Sequence, residues 1–83
     1  MVWVLILNYV CVDSGDFTTT VIGVYKNFKD AHQRLMVESN NIREEMSYVD
    51  LEEEETDMSL SIYEKDEYPS FHCDLIIESK DIQ

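Results

Sequence analysis

Positive charge is scarce in this sequence. Six lysines and arginines stand against eighteen aspartates and glutamates, a formal net charge of −12. Phosphate contacts are made by Lys and Arg, so a chain of this charge repels nucleic acid and anionic membrane. Direct binding to DNA, RNA or a lipid surface is not expected, and a basic protein surface is the expected partner. Glycine is scarcer still, with Gly15 and Gly23 the only two. They build no Gly-rich phosphate loop, no Walker pattern and no Gly-x-Ser-x-Gly elbow. Cys11 and Cys73 are the only cysteines, too few for a disulfide framework. Zinc spacings such as C-x2-C and H-x3-H are absent, as is the Asp-x-Asp-x-Asp-Gly loop that calcium uses, so no metal or cofactor is expected. His72 and Cys73 are chain neighbours and point to opposite faces of a strand, which rules them out as a nucleophile–base pair there. Cys11 and His32 could still meet across a core. With no motif beyond these, the chain reads as a non-enzyme.

Long apolar runs are missing too. Val2–Leu7 is far too short to cross a bilayer. No secretory signal with a basic n-region is present, so the expected location is cytoplasmic, with both thiols reduced.

What is present fits one domain of 83 residues with a small core, since a chain of this size buries only about 60–65 % of its unfolded surface. The charge is lopsided. Residues 1–37 hold three acids and three bases, whereas residues 38–83 hold fifteen acids and three bases. A neutral front half thus precedes a strongly anionic rear half.

"VWVLILNYVCV", residues 2–12, is rich in β-branched and aromatic residues and reads as a long strand. It is apolar on both faces, with Val2, Val4, Ile6, Val10 and Val12 on one and Trp3, Leu5, Leu7, Tyr9 and Cys11 on the other. Such a strand belongs in the middle of a sheet. "DSGD" carries turn chemistry, with Gly15 able to take a positive φ. "FTTTVIGVY" is the return strand, nearer an edge, and Gly23 marks a bulge or a close backbone approach. Asn27 then caps a helix with Asp30 in its first turn. At 100° per residue, Phe28, Ala31, His32, Leu35, Ser39, Ile42 and Met46 form one stripe. Asn40-Asn41 offers an earlier end.

"MSLSIYE" (58–64) and "FHCDLIIES" (71–79) alternate as strands, separated by a turn at Pro69. The tail "KDIQ" is expected to be loose. The reading is therefore α+β: a four-stranded, mainly antiparallel sheet in the order β-β-α-β-β, with one helix packed on one face. The first strand should lie between the second and third in a 2-1-3-4 order with a right-handed crossover, 2-1-4-3 being the alternative. One helix leaves the other face uncovered, and exposed apolar area there marks a dimer or partner surface.

Between helix and third strand lies "SYVDLEEEETD". Like charge in this density predicts a mobile acidic loop, about residues 47–57, or a frayed continuation of the helix. Glu44, Glu45, Asp50, Glu52, Glu53, Glu54, Glu55 and Asp57 place eight acids in fourteen residues. Carboxylates can stand in for phosphates, because Arg pairs both through the same bidentate geometry. Tyr48, Tyr63 and Tyr68 could supply interface anchors or be half-buried at the sheet margin.

"VIGVYKNFKDAHQRL", with the long strand before it, resembles a group of small acidic β-β-α-β-β proteins of bacteria, their phages and mobile elements, notably in Firmicutes. The resemblance runs from Val2 to about Leu35, and "LSIY" after an acid-rich segment is similar as well. The group brings no catalytic residues. It implies a phage or mobile-element accessory protein, and by analogy an inhibitor of a nucleic-acid-handling defence enzyme such as a CRISPR nuclease. Two functions follow: an acidic protein that imitates a polyanion, or a homodimer through the uncovered sheet face or an edge strand in which the acids serve solubility alone.

Overall fold

A computed structural model describes residues 1–81. It is α+β, in the order β1 (Val2–Cys11), β2 (Asp16–Tyr25), α1 (Phe28–Glu45), β3 (Leu51–Glu55), β4 (Ser59–Glu64) and β5 (Phe71–Lys80). All pairings are antiparallel, and the sheet order is β2-β1-β5-β4-β3. No helix among the described residues is long and apolar enough to cross a membrane.

Among the described residues the sheet has five strands, not four. The added one is β3, formed from the run expected to be an acidic loop or a frayed helix. Like charge repels along that run, but strand geometry turns successive side chains to opposite faces. Glutamates two apart are then about 7 Å from each other, close to a Debye length in physiological salt. Pairing with β4, from Leu51 opposite Glu64 to Glu55 opposite Leu60, satisfies the backbone groups that face β4. The turn is tied by Thr56, whose N–H donates to the Ser59 carbonyl at 2.9 Å.

The 2-1-3-4 order with its crossover is also overturned. The neighbour of β1 is the last strand, β5, through ten pairs from Val2–Lys80 to Cys11–Phe71. Length and burial decide this. β5 matches β1 in length and buries Phe71, Cys73, Leu75 and Ile77. β4 has six residues and buries only Leu60 and Ile62, so it could not cover the whole of β1. The chain therefore goes from the helix to the far edge and meanders back, which is the 2-1-4-3 arrangement with one more strand outside it. β5 runs one residue into the tail expected to be loose; Ile82 and Gln83 lie outside the described residues.

The helix begins and ends as its caps dictate. The Asn27 side chain accepts from the Asp30 N–H at 2.9 Å, and Arg43 sits in the last turn, near the negative end of the dipole. It continues through Asn40-Asn41 because its buried stripe does: Ala31, Leu35 and Ser39 are buried, flanked by half-buried Phe28, His32, Ile42 and Met46. Buried Ser39 satisfies its hydroxyl by donating to the Met36 carbonyl at 2.8 Å. Against this stripe packs one face of the sheet, with Leu5, Leu60, Ile62, Phe71, Cys73, Leu75 and Ile77. Trp3 meets Phe28 edge-on, with ring centroids 5.4 Å apart.

Gly15 takes a φ of +72° in the β1–β2 turn. At Gly23 the register slips. Leu5 faces Gly23 but Ile6 faces Val21, so Ile22 is a bulged residue turned against the core. Gly23 is also a close approach: a Cβ there would sit 2.5 Å from the Tyr25 hydroxyl. Gly23→Ala should destabilise by about 1 kcal/mol through overpacking. The penalty should vanish in a Tyr25→Ala background, as measured by a denaturant double-mutant cycle.

Candidate functional site: the uncovered sheet face

The helix covers one face, and the other is bare. Cross-strand register defines its rows. One row runs Thr19, Asn8, Asp74, Ser61, Glu54 from β2 to β3. The next runs Phe17, Val10, His72, Tyr63, Glu52. Two shorter rows, Val21–Ile6–Ile76–Ser59 and Val24–Val4–Glu78, follow, and the Val2–Lys80 pair closes the face. The composition changes steadily across the sheet. The β2 and β1 columns are apolar except at the hydrogen-bonded Thr19–Asn8 pair, with Phe17, Val21 and Val24 well exposed. The β4 and β3 columns end in Tyr63 and two glutamates.

At the anionic end the groups are organised. Asp74 Oδ1 accepts from Ser61 Oγ at 2.5 Å and lies 2.8 Å from His72 Nε2. The His72 ring stacks on Tyr63, with centroids 5.7 Å apart and an interplanar angle of 14°. The Tyr63 hydroxyl donates to Glu54 at 3.4 Å. Partial desolvation, then the Glu54 and Glu52 carboxylates, push the Tyr63 phenol up, so it remains an O–H donor at neutral pH. Ser61, His72 and Asp74 do not form a nucleophilic triad. Both hydroxyl and imidazole address the same carboxylate oxygen, whereas activation requires the imidazole between hydroxyl and carboxylate.

The eight acids expected as one patch are divided among several surfaces. Glu52 and Glu54 lie on the uncovered face. Glu53 and Glu55 lie on the helix side of β3. Glu44 and Glu45, at the end of α1, border a cleft of about 350 Å³ floored by Leu7, Tyr9, Ile42, Met46 and Phe71. Glu55 and Asp57 border another cleft, about 410 Å³, with Phe28, Lys29 and His32. Asp50 and Asp57 flank β3 at its two ends.

Within the run, Glu53 is compensated. Arg43 donates from Nε to Glu53 Oε2 at 2.8 Å and from Nη2 to Oε1 at 2.5 Å. Its Nη1 bonds Asn40 Oδ1 at 2.7 Å. This fork fastens the edge strand to the helix, and it holds the Glu53 carboxyl below its usual range. Glu53 is the only one of the eight in an ion pair among the described residues.

The tyrosines separate as well. Tyr63 lies half-buried on the uncovered face. Tyr48 is exposed in the turn after α1, its hydroxyl 3.6 Å from Met46 Sδ, away from the strand glutamates. Tyr68 is exposed beside Pro69 in the β4–β5 turn. His72, Ser61 and Asp74 were missed as a unit. Their outward alternation is visible in "SLSIYE" and "FHCD", but the register that joins them is not.

The cysteines are separate. Cys73 is buried under the helix, and burial pushes its thiol up to about 12. Cys11, half-exposed at the far end of β1, cannot meet His32. His32 packs beside Phe28, which contacts Trp3, and Trp3 is eight residues or about 26 Å along the strand from Cys11. Donors from Ser14, hydroxyl first, lower the Cys11 thiol.

Comparison of the chain with protein-family models, curated proteins and solved structures finds no match.

Arg43→Ala should destabilise by about 1 kcal/mol, the upper end for a partly exposed pair. It should also speed amide exchange selectively in β3. Because Glu53 is depressed in the folded state, the pair contributes fully above the unfolded carboxylate range. The stability difference between wild type and Arg43→Ala should hold from pH 6 to 8 and shrink below about pH 4. In thiol labelling, native protein should modify at Cys11 alone and take a second label only on unfolding. Ser14→Ala should slow the first label several-fold, read by mass spectrometry.

Proposed function

We propose that the chain is a non-enzymatic acidic binding protein whose β4–β3 end docks on a basic, partly apolar surface of a partner protein. One observation carries this reading. Glu52 and Glu54 stand on a paired edge strand, on an uncovered face beside stacked Tyr63 and His72, and neither has an ion-pair partner among the described residues. Their spacing along the strand, about 7 Å, is on the scale of successive phosphates in a nucleic-acid strand. Asp74 adds a carboxylate in the same row as Glu54, two strands away. The Arg43 guanidinium is committed to Glu53, so it does not neutralise the outward pair. Tyr63 supplies an aromatic surface of the kind enriched at interface centres.

A partner that normally holds a polyanion offers the complementary Lys- and Arg-rich groove. The resemblance to acidic proteins of phages and mobile elements favours a nucleic-acid-handling defence enzyme, with polyanion imitation as the mode of inhibition. Association would be fast and weakened by salt. A second reading draws on the apolar columns of the same face: a homodimer seated there, with the acids serving solubility. Salt separates the two, because apolar association strengthens with salt.

The test uses an arginine-rich peptide as probe, with amide chemical shifts mapped by NMR. Shifts are expected at Glu52, Glu54, Tyr63, His72 and Asp74. Glu52→Gln with Glu54→Gln should weaken binding roughly tenfold, about 1.4 kcal/mol. Glu44→Gln with Glu45→Gln should change it little. Shifts spread evenly over all the acids, or affinity indifferent to Glu52 and Glu54, would reject the assignment.

A further inference from the structure

The two edges of the sheet are unlike. β3 is short and carries four consecutive glutamates, which discourage a further strand from pairing. β2 is ten residues long, and among the described residues β1 is its only neighbour. From Phe17 to Tyr25 it has no charge and no proline, so its outer backbone groups are unprotected by either device. Phe17 is 73 % exposed and Val21 59 %.

We propose that β2 is a homodimer edge, pairing antiparallel with β2 of a second copy to give one continuous ten-stranded sheet. Charge selects the occupant. Pairing through β3 would set two rows of glutamates against each other. Pairing through β2 joins the two neutral halves and leaves the β3 edges nine strand spacings apart, about 43 Å, several Debye lengths at physiological salt. A second copy offers the same uncharged, threonine-rich edge, which matches β2 without any buried charge.

Geometry also fixes the register. In a two-fold sheet, paired residues must share a face, so the axis passes through a residue. The bulge at Ile22 limits regular pairing to Asp16–Val21. Centring on Thr19 uses most of that segment. It sets Phe17 opposite Val21 of the second copy, Thr18 opposite Thr20, and Thr19 opposite Thr19. Aromatic–β-branched and Thr–Thr pairs of this kind are favourable across strands. Phe17 and Val21 thereby lose exposure, and the apolar ends of the two uncovered faces merge at the dimer centre. The inference is independent of what the anionic end binds.

Sedimentation velocity of the intact chain over a concentration series tests it. The expected mass is twice 9.8 kDa at high concentration, with amide protection in Asp16–Val21 rising as dimer forms. Thr19→Lys and Thr19→Glu should each weaken self-association at least tenfold while circular dichroism stays native, and their equimolar mixture should restore it. Val21→Lys is the second variant should position 19 prove intolerant. A wild type that stays monomeric at millimolar concentration overturns the proposal, as does a dimer that Thr19→Lys and Val21→Lys leave intact. A mixture of the two Thr19 variants that fails to associate overturns the register. Capture of a foreign strand by a chain that never self-associates would assign the edge to another partner and overturn it too.

Discussion

The ladder between β1 and β5 is the interaction on which the rest of the structure depends. Its ten pairs join the start of the described chain to its end, and they place Leu5 opposite Ile77, Leu7 opposite Leu75 and Tyr9 opposite Cys73 under the helix. Leu5, Leu75 and Cys73 are fully buried there. Once these strands hold the centre, β2 can lie only on one side and the β4–β3 hairpin on the other. The helix must then carry the chain across the covered face between them. The segregation of charge along the sequence thus becomes a segregation across the sheet, with a neutral edge at β2 and an anionic edge at β3.

A strand of glutamates at an edge is an unpromising element by composition. It persists because the backbone gains a full ladder to β4 and the side chains alternate between two environments. On the helix side, Glu53 meets Arg43, a bidentate contact that a solvated loop would not retain. On the uncovered side, Glu52 and Glu54 remain in water, where their repulsion is screened. The same alternation sets what the surface can offer a partner: two aligned outward carboxylates with an aromatic neighbour, in place of one diffuse cloud of eight.

Much of this was legible in the residues. The two-faced apolar strand, the Asn27 cap, the helical stripe, the Gly23 irregularity and the opposed directions of His72 and Cys73 all follow from periodicity and local sterics. The strand in "LEEEE" was not, because composition argues against it and the stabilising partners, β4 and Arg43, are long-range. Strand order failed for a related reason. A β-α-β sequence suggests a crossover, and only the relative lengths and burial of β4 and β5 show that the last strand fits β1 better. The acidic site was legible as composition but not as geometry, since face assignment requires the strand that the sequence concealed. The Ser61–Asp74–His72 cluster depends on register between separate strands, which no local pattern encodes.

The division of the carboxylates requires the acidic run to be an ordered edge strand whose side chains alternate between helix and solvent. Cross-strand proton contacts in the NMR spectrum of the native chain measure this directly. The predicted result is a set of backbone contacts linking Glu52 to Tyr63 and Glu54 to Ser61, with extended-strand chemical shifts through Leu51–Glu55. Random-coil shifts and no contacts to β4 would contradict it, and with it the division of the carboxylates into inward and outward sets.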